Sequence, residues 1–299
     1  MSSPVRRVNF ITSLLIALRP KHWIKNLFVL VPLLFGHKLF HFPENVNCLL
    51  AVFLFSAMAS SVYLLNDIYD RDYDRSHGLK SLRPIATGTL DVKRAALASL
   101  VLGTISLVLA FKLNVYLSLI LLTYFLSNLV YTVFLKQVVI IDVFCLAFFY
   151  FLRILAGNVV ADVELSYWMI LEAVLLALFL GFQKRRYEIE CSGEGAAVRE
   201  VLGHYSLALI DQIILILTTS IAVIYLLYAM DERTVGLVGS RNLLFSAPFV
   251  YFGIFRYLYL VQQGSRNGDP TAVLFSDRVT QVNLVLWILV CGLVLYLKV

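Results

Sequence analysis

Apolar residues fall along this chain in long uninterrupted stretches separated by short polar connections, with neither the two-residue alternation of a half-buried strand nor the narrow stripe of a surface helix. The stretches run over residues 22–40, 46–66, 95–111, 114–134, 138–160, 166–183, 205–229, 242–262 and 279–297. A hydrocarbon core of about 30 Å, crossed at about 1.5 Å per residue, needs roughly 20 residues per helix. The pattern therefore predicts an all-α integral membrane protein, a bundle of about nine transmembrane helices forming a single domain over residues 1–299. The run from Phe10 to Leu18 is too short to cross and is followed by Arg19-Pro20 and further cations. It is expected to lie in the interface as a lead-in helix and not to act as a cleaved leader. Connections at Lys112–Leu113 and Ala161–Leu165 are short enough to make their flanking helices antiparallel neighbours.

A mean hydropathy of +0.84 over 299 residues, 60% of them hydrophobic, excludes an ordinary soluble protein. Most of the 25 lysines and arginines, including Arg19, Lys21, Arg71, Lys80, Arg83, Lys93, Arg94, Lys136, Lys184, Arg185 and Arg186, fall on one side of the spans. By the positive-inside rule that side is cytoplasmic, and it holds the three connections long enough for chemistry, at about 67–94, 184–204 and 263–278. The net charge of +6 follows from this bias and from acidic headgroups or phosphates, so no nucleic-acid partner is expected. The cysteines Cys48, Cys145, Cys191 and Cys291 show no paired metal-ligand spacing and are expected to pack.

The densest chemistry adjoins the end of the second span, where residues 66–74 read Asn-Asp-Ile-Tyr-Asp-Arg-Asp-Tyr-Asp. At about 100° per residue, Asp67, Asp70 and Asp74 share one helical face while Asp72 points the opposite way. Like charges so placed repel by about 0.2–0.5 kcal/mol per pair, a cost that a hard divalent cation removes. Mg²⁺, held through one or two carboxylates with phosphates and water completing its shell, is the expected occupant. A solvated helix end is the plainer alternative. The same connection continues to Lys80 and Arg83, cations suited to an anion that also touches the metal, with Gly78, Pro84 and Gly88 breaking the helix around them.

Further polar residues lie around the other cytoplasmic ends. Lys25 and Asn26 stand a turn deeper than the interfacial Trp23, where a polar cleft or phosphate explains them as well as snorkelling does. Lys184, Arg185 and Glu188 follow the sixth span and are expected to form a second phosphate-binding half-site facing the acids, although Lys184 and Glu188 also have the spacing of a simple surface pair. Tyr131 and Lys136 would extend the same wall, with Asp142 orienting it. Arg153 and Glu172 lie inside apolar spans joined by a short outer connection, and a charge there costs at least about 2.5–3.5 kcal/mol, so the two are expected to pair.

Asn66-Asp67-x-x-Asp70-x-x-x-Asp74 resembles the first aspartate-rich motif of the UbiA superfamily of intramembrane prenyltransferases, and the nine-span layout extends the resemblance over essentially the whole chain. The segments Arg19–Asn26, Asn66–Gly88, Tyr131–Lys136 and Lys184–Glu188 are similar to the decaprenyl-phosphate phosphoribosyltransferase branch. Aromatic prenyltransferases of the superfamily carry a second Asp-x-x-x-Asp motif after the sixth span; basic residues stand there in this chain. The resemblance implies a Mg²⁺-dependent membrane glycosyltransferase that moves a 5-phosphoribosyl group from phosphoribosyl pyrophosphate to a polyprenyl phosphate and releases pyrophosphate. It assigns Asp67, Asp70 and Asp74 to the metal, Asn66 to the sugar or pyrophosphate, and the basic residues to phosphates. It also implies a multi-pass protein of a bacterial inner membrane, contributing to the cell envelope, with homo-oligomerisation left open. The alternative within the fold is an aromatic prenyltransferase using a polyprenyl diphosphate for quinone or haem precursors. A transporter, the reading from a different class, lacks a polar outer vestibule and an inverted repeat.

Overall fold

The computed structural model describes residues 9–36, 38–76, 78–164, 167–190, 200–262 and 276–297. Every regular element among them is helical. Among the described residues, eight helices are long and apolar enough to cross a bilayer. The first expected span differs from a simple helix. Helix α1 (Phe10–Leu18) ends at Arg19, whose backbone is left-handed (φ 55°), and Pro20 opens a tight 3-10 stretch that runs to Leu30 and passes into α2 (Val31–Phe35). Prolines explain the break: Pro20 starts a turn where its missing N–H costs nothing, while Pro32 cannot donate within a regular helix.

The chain divides into two compact units, Met1–Lys136 with Leu152–Glu164, and Gln137–Phe151 with Leu165–Val299. In the first, α3 (Glu44–Tyr69) packs against α1, the 3-10 stretch, α6 (Val92–Leu113) and α7 (Val115–Val133). At 26 residues α3 is long enough, at about 1.5 Å each, to bring its last turn past the apolar core. Small side chains allow close approach: Ser61 and Ser99 join α3 to α6 through hydroxyls 2.9 Å apart, and each hydroxyl also reaches the other's carbonyl. The tight hairpin after α6 is one residue, Asn114, whose carboxamide caps α7 by accepting from Tyr116 and Leu117 N–H. α1 buries Ser13 and Ala17 and exposes Phe10, Ile11, Leu15 and Ile16, consistent with a helix lying along a lipid boundary.

Helix α8 (Ile141–Ala161) contributes to both units. In the second, α9 (Tyr167–Glu190) packs on α10 (Leu207–Met230) around Ala177, Phe182, Ile210 and Ile214. α11 (Glu232–Val238) is short, and α12 (Ala247–Gln262) packs beside α13 (Arg278–Leu297). Asp277 begins α13 by accepting from Thr280 N–H and takes both Nε and Nη2 of Arg256, at 3.0 and 2.9 Å.

Arg153 and Glu172, expected to pair, belong to different units, and within its own unit Arg153 meets neutral acceptors. Arg153 donates Nε to Asn26 Oδ1 at 2.8 Å and Nη2 to the Tyr124 hydroxyl at 3.2 Å, and its guanidinium lies over the Phe55 and Tyr124 rings. Aromatic faces and an amide oxygen supply negative potential to this buried guanidinium. Glu172 belongs to the other unit, where its Oε2 is buried with no hydrogen-bond partner.

Candidate active site

The acidic cluster forms where α3 passes into α4 (Arg71–Arg75). Helical hydrogen bonding continues through the joint: Asp70 N–H donates to Asn66 and Asp74 N–H to Asp70, at 2.9 and 2.8 Å. Asp67, Asp70 and Asp74 therefore stay on one side, as their spacing predicts, while Asp72 is 91% exposed. Beyond α4, a 3-10 turn over Gly78–Leu82 and the short α5 (Pro84–Thr87) fold back against α4. Gly88 ends α5 at φ 80°, a conformation that costs glycine little.

This return places Arg83 on the acids. Its Nη1 lies 2.7 Å from Asp74 Oδ2 and 3.1 Å from Asp67 Oδ1. From the break between α1 and the 3-10 stretch, Arg19 Nη2 reaches the same Asp67 oxygen at 2.5 Å, with its guanidinium over the Tyr63 ring. Lys136 pairs with Asp70 and lies over the Tyr69 ring. Three carboxylates thus face three cations within one unit. Asp67 and Asp74 are buried, and such burial is tolerable only because both are paired.

Other predicted residues divide between partly exposed and fully internal positions. Asn66 Oδ1 accepts from the Thr132 hydroxyl at 2.5 Å, which fixes the carboxamide at the start of the motif. Lys80 is over the Tyr73 ring, and Lys25 and Tyr131 are half-buried. Asn26 is used inside the bundle: Nδ2 donates to Ser56 and Oδ1 accepts from Arg153, both at 2.8 Å. In the second unit, Asp142 is fully buried and takes Arg185 Nε at 2.7 Å, while Arg185 Nη1 reaches Glu188 Oε2 at 2.6 Å. Arg185 is itself buried, and its bonds to Asp142 and Glu188 tie α9 to the start of α8, whereas Lys184 and Glu188 are half-buried.

Sequence reasoning missed Arg19, Thr132 and Tyr205 as parts of these networks. Arg19 carried a signal, a cation directly before a helix-breaking proline. Thr132 and Tyr205 carried none, because their partners Asn66 and Asp142 lie 66 and 63 positions away.

The donor chemistry fits Mg²⁺. All the candidate ligands are oxygens, and Asp67 and Asp74 already converge on one cationic atom, Arg83 Nη1. Asp70 points to a different cation, and among the described residues no three acids gather around one point. That arrangement suits a metal held by one or two carboxylates, with phosphate and water completing the shell.

The model of the UbiA prenyltransferase family matches residues 27–184. Similar to the chain are the decaprenyl-phosphate phosphoribosyltransferases of Mycobacterium tuberculosis, 32% identical with 95% of this chain and 94% of that one covered, and of Corynebacterium glutamicum, 32% identical with 97% and 88% covered. Among solved structures, a UbiA homologue from Archaeoglobus fulgidus bound to GPP and Mg²⁺ shares the fold, with a TM-score of 0.68 at 20% identity over 95% of this chain and 99% of that one. The family match spans the last turn of α3 and its acidic residues, and with full-length likeness to two such relatives it leads to one conclusion: the chain belongs to the UbiA prenyltransferase family.

Proposed function

We propose that this multi-pass membrane protein transfers a 5-phosphoribosyl group from phosphoribosyl pyrophosphate to a polyprenyl phosphate, releasing pyrophosphate. The observation that carries the reading is similarity along nearly the full length of both chains to enzymes named for that transfer. The basic character of the segment after α9 agrees with it, because three phosphate-bearing groups need more cations than one prenyl diphosphate does.

Asp67 and Asp74, with Asp70 beside them, are assigned to Mg²⁺, in keeping with the metal in the Archaeoglobus homologue. Bound there, the ion would neutralise the departing pyrophosphate and polarise its bond to the sugar. Arg83 and Arg19, released from Asp67 and Asp74, are assigned to pyrophosphate oxygens, and Lys136 and Lys80 to neighbouring phosphate groups. Asn66 orients the sugar. In the first unit Lys25 and Tyr131 are assigned to phosphate positioning, with Asn26 supporting them from within. In the second, Lys184 and Glu188 are assigned to phosphate binding, with Asp142 and Arg185 supporting them. A lipid phosphate oxygen forms a bond to the anomeric carbon as the pyrophosphate oxygen leaves it. The attacking phosphate is already ionised, so no general base is needed, and alignment supplies most of the rate.

The active site is assigned to the cytoplasmic face by the distribution of cations, and the membrane to a bacterial inner membrane by the bacterial relatives. Purified protein incubated with ribose-labelled phosphoribosyl pyrophosphate, Mg²⁺ and decaprenyl phosphate is expected to give labelled lipid. A wild-type preparation that is folded yet leaves all label water-soluble would overturn the assignment.

A further inference from the structure

We propose that Tyr205 is a positioning residue for this reaction: its hydroxyl clamps a strained turn at Ile140 to the buried Asp142–Arg185 pair, fixing the end of α9 that carries Lys184 and Glu188. The functional part of this inference rests on the reading given under Proposed function; the clamp itself does not.

Ile140 adopts φ 70°, a left-handed backbone that a β-branched side chain strongly disfavours. Such a conformation persists only where its surroundings enforce it. The turn uses its own backbone almost completely: Ile141 N–H reaches Val139, Asp142 N–H reaches Val138, and both Val143 and Phe144 N–H reach the Ile140 carbonyl. The Ile140 N–H goes instead to the Tyr205 hydroxyl oxygen, at 2.5 Å. That hydroxyl donates its one proton to Asp142 Oδ1 at 3.0 Å, and the other Asp142 oxygen takes Arg185 Nε. Arg185 then holds Glu188.

One phenol therefore ties four segments of the second unit together: the turn, the first residues of α8, the last turns of α9, and the connection leading into α10. Both hydroxyl functions are used, one donated and one accepted bond, so phenylalanine replaces neither. Burial, joined by the Asp142 charge, pushes the Tyr205 hydroxyl up to about 12, which keeps its proton in place at neutral pH.

The test is a double-mutant cycle on the full-length protein in detergent. Tyr205→Phe is expected to raise KM for polyprenyl phosphate about 10-fold with kcat within about 3-fold, the size of effect expected when a strained backbone is released. Ile140→Gly alone should be close to wild type, and Ile140→Gly with Tyr205→Phe should recover KM to within about 3-fold, because glycine holds a positive φ without a clamp. Thermal midpoints give a readout independent of activity: Tyr205→Phe should lower the midpoint by at least twice as much in wild type as in the Ile140→Gly background. If wild type shows no turnover but the midpoints are coupled in this way, the functional reading falls and the clamp stands. Additive midpoints, or a double variant as impaired as Tyr205→Phe, would overturn the clamp. Should Tyr205→Phe fail to accumulate, Ile140→Gly decides: an unchanged or raised midpoint is expected, and a clear fall is contrary to a strained turn.

Discussion

Gly157→Ala tests how closely α8 approaches the 3-10 stretch that follows Arg19. A methyl group at Gly157 would stand 1.9 Å from the Val29 carbonyl oxygen, 2.8 Å from its carbon and 3.2 Å from Pro32 Cδ. Ordinary C···O contacts begin near about 3.3 Å, so the backbone must retreat by roughly 1.4 Å. No flexible side chain can absorb that movement. Three residues before Val29, Asn26 accepts the Arg153 Nε bond, and Arg153 lies one turn before Gly157 on α8. Separating the two elements therefore also strips a buried guanidinium of an acceptor. Overpacking of this kind costs about 1–3 kcal/mol, and loss of a hydrogen bond to a charged group about 1.5–3 kcal/mol. Taken together, about 2.5–6 kcal/mol of destabilisation should lower the thermal midpoint by roughly 5–24 °C, at about 2–4 °C per kcal/mol. The assay is thermal unfolding in detergent followed by tryptophan fluorescence and by retention on size exclusion. Gly292→Ala in α13 is the control, since its added methyl meets nothing within 4 Å. A Gly157→Ala protein melting within about 2 °C of wild type would refute the packing argument and its stated cost.

Asp70→Asn should lower labelled-lipid formation by about 100-fold or more, while the midpoint changes little because a partly exposed ion pair contributes only about 0–1 kcal/mol. Chelation of divalent cations should abolish turnover and leave the protein folded, as Arg19, Arg83 and Lys136 already neutralise the carboxylates; added Mg²⁺ should restore activity, and unfolding on chelation would contradict that pairing. The Arg256 guanidinium, with the Thr280 hydroxyl and N–H, holds the Asp277 carboxyl well below its ordinary value of 3.8. Because the folded value is the lower one, this stabilisation is complete above the ordinary carboxylate value, begins to decline below it, and is lost only as pH falls through the much lower folded value. Asp277→Asn should therefore lower the midpoint at pH 7 and still by most of that amount at pH 3, and a difference that has already vanished in the ordinary carboxylate range would count against the ion pair.

Long apolar runs made the membrane class and most spans legible, because bilayer thickness imposes a length that needs no tertiary information. The first span was harder to read: the apolar run over residues 22–40 includes Pro32 and begins just after Pro20, and both break helical hydrogen bonding. The acidic face at Asp67, Asp70 and Asp74 was legible because helical periodicity continues through Asp70, which also turned Asp72 outward as expected. What holds those acids was not. Arg19 and Arg83 meet Asp67 from segments 48 residues before it and 16 after it, and no local pattern encodes that convergence. Arg153 shows the limit of charge matching: counting from the outer connection suggested an acid, whereas the structure supplies Asn26, Tyr124 and aromatic faces. Asp142 and Arg185 were recognisable as polar residues at helix ends, but not their full burial or the bond from Tyr205, a residue no motif marked.

The most direct measurement is pyrophosphate release, followed together with the fate of the sugar. Protein in detergent or liposomes receives ribose-labelled phosphoribosyl pyrophosphate and Mg²⁺, with and without decaprenyl phosphate. Lipid-dependent release of one pyrophosphate for each labelled ribose entering the lipid phase is the predicted result. Absence of both, with consumption of a polyprenyl diphosphate when an aromatic acceptor is supplied, would contradict it.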